Sequence, residues 1–233
     1  GELPRVDRGL QAELCYLKSK ALFYLDDLQG AIFLVRRALK STGEHPAYSA
    51  FEGHLLSEMG RYVEARRVLE RAAASEPDSP HILYSLALVL ERVAHEGLAA
   101  GSGTGDGMSP EAIREASAQA FARANALDPG QFPLPVEVSD EFFHAVVDEA
   151  LANLPRSIRD YIENVPVLIE EFPSLDLVER ERVSPQILGI FIGVPRTQAI
   201  LTEQTPDLER VLIFKRNLEK ICRDRDELVD QIQ

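Results

Sequence analysis

The side chains able to ligate a metal or act as nucleophiles are few and scattered. The five histidines are His45, His54, His81, His95 and His144. No two of them stand at i, i+4, the spacing by which a helix presents two imidazoles to one zinc ion. His95 precedes Glu96 but is followed by Ala99 at the fourth position, so the 233 residues contain no HExxH. His144 and Asp148 lie one helical turn apart and offer two ligands. A zinc site needs a third, and a solvated polar face is the better reading of that pair. Cys15 and Cys222 are remote from each other and form no CxxC, which indicates neither a disulfide framework nor a cysteine zinc site and fits a reducing cytoplasm. Cys222, close to Leu218 and Ile221, reads as a small core residue. There is no GxSxG, and no motif fixes two carboxylates together. Catalytic and metal-ligating residues are therefore not expected within this sequence.

The elements that would have to position any site follow from length and pattern. A chain of 233 residues allows one large or two modest domains. Lys plus Arg number 25 against 38 Asp plus Glu, a net charge of −13, and this acidity disfavours a nucleic-acid partner. No apolar run is long enough to span a membrane, which predicts a soluble protein.

Self-similarity organises residues 12–130. Ala31, Val35 and Ala38 recur at one constant offset of about 34 residues as Ala65, Leu69 and Ala72, and the second copy adds Gly53 and Pro77. A third copy begins at "PHILYSLALVLERV", and its second helix carries Phe121, Ala124 and Pro129 after an insertion near 97–109. That stretch, "GLAAGSGTGDGMSP", is Gly/Ser-rich and reads as a flexible loop. Ser109 and Pro110 then open the next helix.

This order of small residue, turn, alanine, bulky apolar residue, alanine and proline resembles the tetratricopeptide repeat. The resemblance implies an α-solenoid of about three repeats over 1–135. It also implies a concave face presenting Tyr16, Lys20, Phe23, His54, Ser57, His81, Tyr84 and Leu88 to a peptide or protein partner. A clamp for a chaperone C-terminal carboxylate is not expected, because the face carries one Lys among Tyr, His and Leu. Packing within the protein is the plainer alternative use of the repeats.

After Pro135 the period ends. "SDEFFHAVVDEALANLP" reads as a helix capped by Ser139, and "SIRDYIEN" as a shorter one. "VPVLIEEFP", "ILGIFIGVP" and "RVLIFKRNL" read as strands. The order helix, helix, strand, strand, strand, helix gives a small α+β domain over 136–233. Asp224 with Glu227 has capping-box spacing and starts a last helix for which no stop signal follows Ile232, so the protein is expected to continue beyond Gln233.

"ALANLPRSIRDYIENVPVLIEEFPS", "LGIFIGVPRT" and "RVLIFKRNLEKICRDRDELVDQI" resemble, in this order, the minimal zincin-like metallopeptidases of bacteria. In that family the last segment runs into a helix bearing HExxH. The resemblance implies zinc in the full-length protein, none bound to this chain, and peptide hydrolysis by zinc-activated water. It also places substrate along an edge strand, with Arg210, Val211, Leu212, Ile213 and Phe214 as the candidate, although "VLIF" fits a buried inner strand equally well. Arg196 and Thr197 are explained by a turn at Pro195, and the basic residues Lys215, Arg216, Lys220, Arg223 and Arg225 by a solvated face. Two functions are open: a zinc metallopeptidase whose repeats position substrate or partner, and a non-catalytic interaction protein with a degenerate zincin-like half. The 233-residue chain itself is expected to be inactive. Substrate and oligomeric state are not fixed by the sequence.

Overall fold

The computed structural model describes residues 7–100, 107–162, 165–193 and 209–233. The chain divides into two compact units, Gly1–Leu134 and Pro135–Gln233.

The first unit is a series of helical hairpins: α1 (Arg8–Tyr24) with α2 (Leu28–Thr42), α3 (Pro46–Glu58) with α4 (Tyr62–Ser75), and α5 (Pro80–Ala100) with α6 (Pro110–Leu127). Local chemistry sets several of the starts. Asp27 caps α2 by accepting from Gly30 N at 2.8 Å, and Ser109 caps α6 by accepting from Ala112 N at 3.2 Å ahead of Pro110.

Within each hairpin the two helices meet at a small residue, and the repeat supplies it in three ways. In α1 the position is Ser19, fully buried, whose hydroxyl donates to Ala31 O of α2 at 2.6 Å. In α3 it is Gly53, where a Cβ would sit 2.5 Å from Leu69 Cγ of α4. In α5 it is Ala87, whose carbonyl accepts from the Ser117 hydroxyl of α6 at 2.7 Å. The first and third hairpins thus make the same hydroxyl-to-carbonyl bond in opposite directions, and the second makes the contact by direct packing. A buried serine is tolerated here because its only polar group is satisfied.

The insertion in the third repeat differs from the expected flexible loop. Residues 97–100 belong to α5, which has 21 residues where α3 has 13, and α6 has 18 where α4 has 14. Most of the added residues therefore lengthen helices. "LERVAHEGLAA" is rich in strong helix formers, and their summed propensity outweighs the one glycine, Gly97. The rest of the stretch, 101–106, lies outside the described residues.

The second unit is α+β. Helices α7 (Asp140–Asn153) and α8 (Arg156–Ile162) precede strand β1 (Val167–Glu170). Then come α9 (Leu175–Glu181), β2 (Gly189–Ile192), β3 (Arg210–Phe214), α10 (Lys215–Ile221) and α11 (Arg225–Ile232). Helix α9 was not anticipated. Ser174 caps it by accepting from Leu177 N at 3.3 Å, and Leu177 and Val178 are its buried pair. The end of "RVLIFKRNL" is helical too, since α10 begins at Lys215 directly after β3.

The sheet has the order β1-β3-β2, with β1 parallel and β2 antiparallel to β3. Ile213, with Val167 and Ile169 of β1, packs toward the cluster of Phe143, Val147, Leu218, Cys222 and Leu228. Leu212 and Phe214 turn to the other face, against Leu177 and Ile192. Burial on both faces explains why β3 is an unbroken apolar run.

Gly53→Ala forces a methyl group into Leu69 and is expected to destabilise the first unit by about 2 kcal/mol, an overpacking cost. Urea denaturation followed by circular dichroism measures this, and an unchanged midpoint would show that Leu69 moves aside freely.

Candidate functional site

The residues expected on one binding face fall into two groups. Tyr16, Lys20, Phe23 and His54 belong to an aromatic cluster shared by α1 and α3. The Tyr16 ring stacks on Tyr48 with centroids 4.6 Å apart and meets Phe51 edge-on at 5.6 Å. Phe23 approaches Phe51 at 6.0 Å and His54 at 5.0 Å, and the Lys20 ammonium lies 5.7 Å from the Tyr16 ring centre. Tyr48 donates its hydroxyl to Glu13 Oε2 at 2.7 Å, and this bond pushes the phenol up to about 12. His45 stacks on the other side of Tyr48, 3.7 Å between centroids. Ser57 is buried and offers little to a ligand.

His81, Tyr84 and Leu88 form the other group, on α5. Tyr84 packs against Phe121 at 5.2 Å and Phe132 at 5.3 Å, and His81 against Phe132 at 4.8 Å. Leu88 joins Ala87, Ala120 and Phe121. Phe132, from the segment after α6, is 8% exposed. Much of the α5 group is thus occupied by the protein itself. Sequence reasoning missed Tyr48, Phe51 and Phe132. The first two stand one repeat after Leu14 and Leu17, a correspondence that could have located them.

His54 meets Phe23 within the α1–α3 cluster. Burial lowers its pKa below the ordinary 6.5, and the charge of Glu58 one turn on opposes this only in part. A separate cleft of about 360 Å³ opens among Arg36, His45, Ser49, Glu52 and Arg71. Arg36 and Glu52 are paired there at 2.7 Å, and Glu44 adds a second acid, so the cleft has no dominant charge.

In the second unit, Arg210–Phe214 is the central strand, not an edge. Both of its ladders are taken, by β1 and β2, so no peptide can pair along it. Among the described residues, β1 and β2 carry the open edges. Phe214 N donates to Leu188 O at 2.8 Å, and the register sets Gly189 opposite Ile213. These fix the ladder phase: Ile190 and Ile192 bond to β3, while the N–H and C=O of Gly189 and Phe191 face outward.

The basic residues after β3 are not uniformly solvated either. Lys215 is 8% exposed and Glu219 1% exposed. Glu219 Oε2 accepts from Arg216 at 2.7 Å, Oε1 accepts from Val138 N at 3.2 Å, and the Glu219 carbonyl accepts from Val136 N at 2.9 Å. Lys215 Nζ bonds Asp140 and lies 3.9 Å from Glu219. Burial pushes the Glu219 carboxyl upward, and Arg216, the Val138 N–H and Lys215 pull it back. Asn217 donates to Pro185 O at 3.0 Å and Ile187 O at 2.8 Å. These charges and amides are buried because α10 has to satisfy the backbone of two neighbouring segments.

No group of three His, Cys, Asp or Glu that could hold a metal occurs among the described residues. His144 and Asp148 stand exposed on α7 without a third donor. The described residues do not fit a zinc site, and no hydrolytic step is routed through them. Cys222 is fully buried, and burial raises its thiol pKa, which removes it as a nucleophile. Arg196 and Thr197 lie outside the described residues. No helix among the described residues is long and apolar enough to cross a membrane.

Comparison with known families places both halves. Residues 22–89 match the tetratricopeptide repeat, and residues 162–233 match the zincin-like metallopeptidase family. The protein is a tetratricopeptide-type solenoid followed by a small zincin-like α+β domain. No match was found among curated proteins.

Two outcomes follow. Because His54 binds a proton less readily when folded, its contribution to stability is complete above pH 6.5 and declines as pH falls from 6.5 toward its lower folded value. His54→Phe should flatten the melting temperature of the repeats over that window, and an unaltered pH dependence would contradict the assignment. Lys215→Met removes one of the positive charges beside the buried Glu219 carboxylate and should lower the urea-unfolding midpoint, and an unchanged midpoint would show that Arg216 and the Val138 N–H suffice.

Proposed function

We propose that this protein acts as a metallopeptidase of the zincin type, with its repeats holding the substrate or a protein partner. The observation that carries the reading is the sheet. Three strands in the order β1-β3-β2 lead through α10 into α11, across a region matching the zincin-like family. In this reading the described residues supply the peptide-holding scaffold, and the zinc donors belong to a part of the protein other than these residues. The substrate strand pairs with the outward N–H and C=O groups of Gly189 and Phe191 on β2, an edge mode that draws affinity from backbone bonds and is tolerant of sequence. The α1–α3 aromatic cluster around Tyr16, Phe23, Phe51 and His54 is the surface for a peptide or protein, because repeats of this type generally mediate protein contacts. Two free cysteines and no metal cluster of cysteines are compatible with a reducing cytoplasm.

A non-catalytic reading, in which the repeats are the functional surface, is favoured by the lack of a three-donor set among the described residues. Activity separates the two. The protein as isolated from its source should cleave unstructured peptides in a reaction abolished by a zinc chelator and restored by zinc, whereas the 233-residue chain should not. Phe191→Pro, which removes an outward donor and leaves the bonds to β3 intact, should raise KM about tenfold, near the worth of one backbone bond. A natural protein that binds zinc but cleaves nothing would overturn the catalytic reading. An unchanged KM would overturn the β2 edge.

A further inference from the structure

Helix α1 exposes a continuous apolar face. Leu10, Leu14, Leu17 and Tyr24 are 55%, 46%, 51% and 79% exposed. With exposed Ala21 they succeed one another at intervals of four, three, four and three residues, the spacing of a two-helix seam. Ala12 and Ser19, both fully buried, mark the opposite side, by which α1 packs into its own hairpin.

The repeat itself identifies this face. Leu14, Leu17 and Ala21 stand one repeat before Tyr48, Phe51 and Leu55 of α3. There the equivalent residues are docked: Tyr48 stacks on Tyr16, Phe51 meets Tyr16 and Phe23, and Leu55 is fully buried. One repeat further on, Ile82 and Val89 of α5 are each 2% exposed. The later repeats bury two of these positions and half-bury the third, whereas in α1 all three remain open to solvent among the described residues.

We propose that the face pairs with its counterpart on a second copy of this chain, α1 against α1 and antiparallel about a twofold axis. The seam is self-complementary in one register, which sets Leu14 opposite Leu17 of the second copy and Leu10 opposite Ala21. The same register places Glu13, on one flank of the seam, against Lys20 of the second copy, and the twofold axis repeats that pair. Parallel pairing would set Glu13 against Lys18 of the second copy but leave Lys20 facing Leu25, whereas the antiparallel register leaves no flanking charge against an apolar residue. Opposite charges meeting twice favour this partner, and the avoided Lys20–Leu25 contact favours this orientation. The 17 residues of α1 span about 25 Å, and a single helix pair of that length buries about 1,000 Å², the low end for a stable interface.

Sedimentation equilibrium of the 233-residue protein tests this. A reversible dimer should be present at about 100 µM and dissociate on dilution. Leu14→Glu with Leu17→Glu, changes at positions already open to solvent in the protomer, should weaken the dimer at least tenfold with an unchanged helical circular dichroism spectrum. Glu13→Lys and Lys20→Glu should each weaken it, and the double exchange should recover it. A monomer at every concentration, or a dimer indifferent to the Leu14 and Leu17 changes, would overturn the proposal. So would a monomer in which Leu14→Cys and Leu17→Cys resist thiol reagents, an outcome that would give the face to another segment of the same chain.

Discussion

The zincin-like unit depends on burying charge in a helix of seven residues. Lys215, Asn217 and Glu219 all point inward from α10, and each is stabilised only by what it holds. Glu219 gathers the backbone of 136–138, Lys215 reaches Asp140 at the start of α7, and Asn217 takes the two carbonyls just ahead of β2. A carboxylate with 1% exposure is tolerable only where its partners are in place. The same contacts set the position of α7 under the sheet and the entry into β2. The outward edge of β2 therefore inherits its placement from a cluster several residues away from it.

The repeats solve a simpler problem, the close approach of two helices, by the size of one residue. Ser19, Gly53 and Ala87 occupy equivalent places, and the two serine hydroxyls return their bonds to the opposing helix. Because the crossing is tight, the aromatic residues on α1 and α3 can reach each other across the repeat boundary. That cluster holds His54 in a partly apolar setting, which favours its neutral form.

Much of this was legible in the sequence, because periodicity reports burial directly. The constant offset between Ala31, Val35, Ala38 and their later counterparts located the hairpins, and Ser109, Ser139 and Asp224 each cap the helix their spacing indicates. What failed did so for identifiable reasons. Strand order is not encoded in the strand: "VLIF" is equally apolar whether one edge is open or both are closed, and only the partners made β3 central. Lys215 read as surface charge because sequence shows charge but not the groups that receive it. Tyr84 was expected to face a ligand, yet Phe132, beyond the repeat, lies against it.

Zinc content of the protein isolated from its source tests the proposed zinc chemistry of the zincin-like unit most directly. One zinc per chain is the predicted result. Protein that holds no zinc, as isolated or after zinc is added, would contradict it and leave the repeats as the functional half.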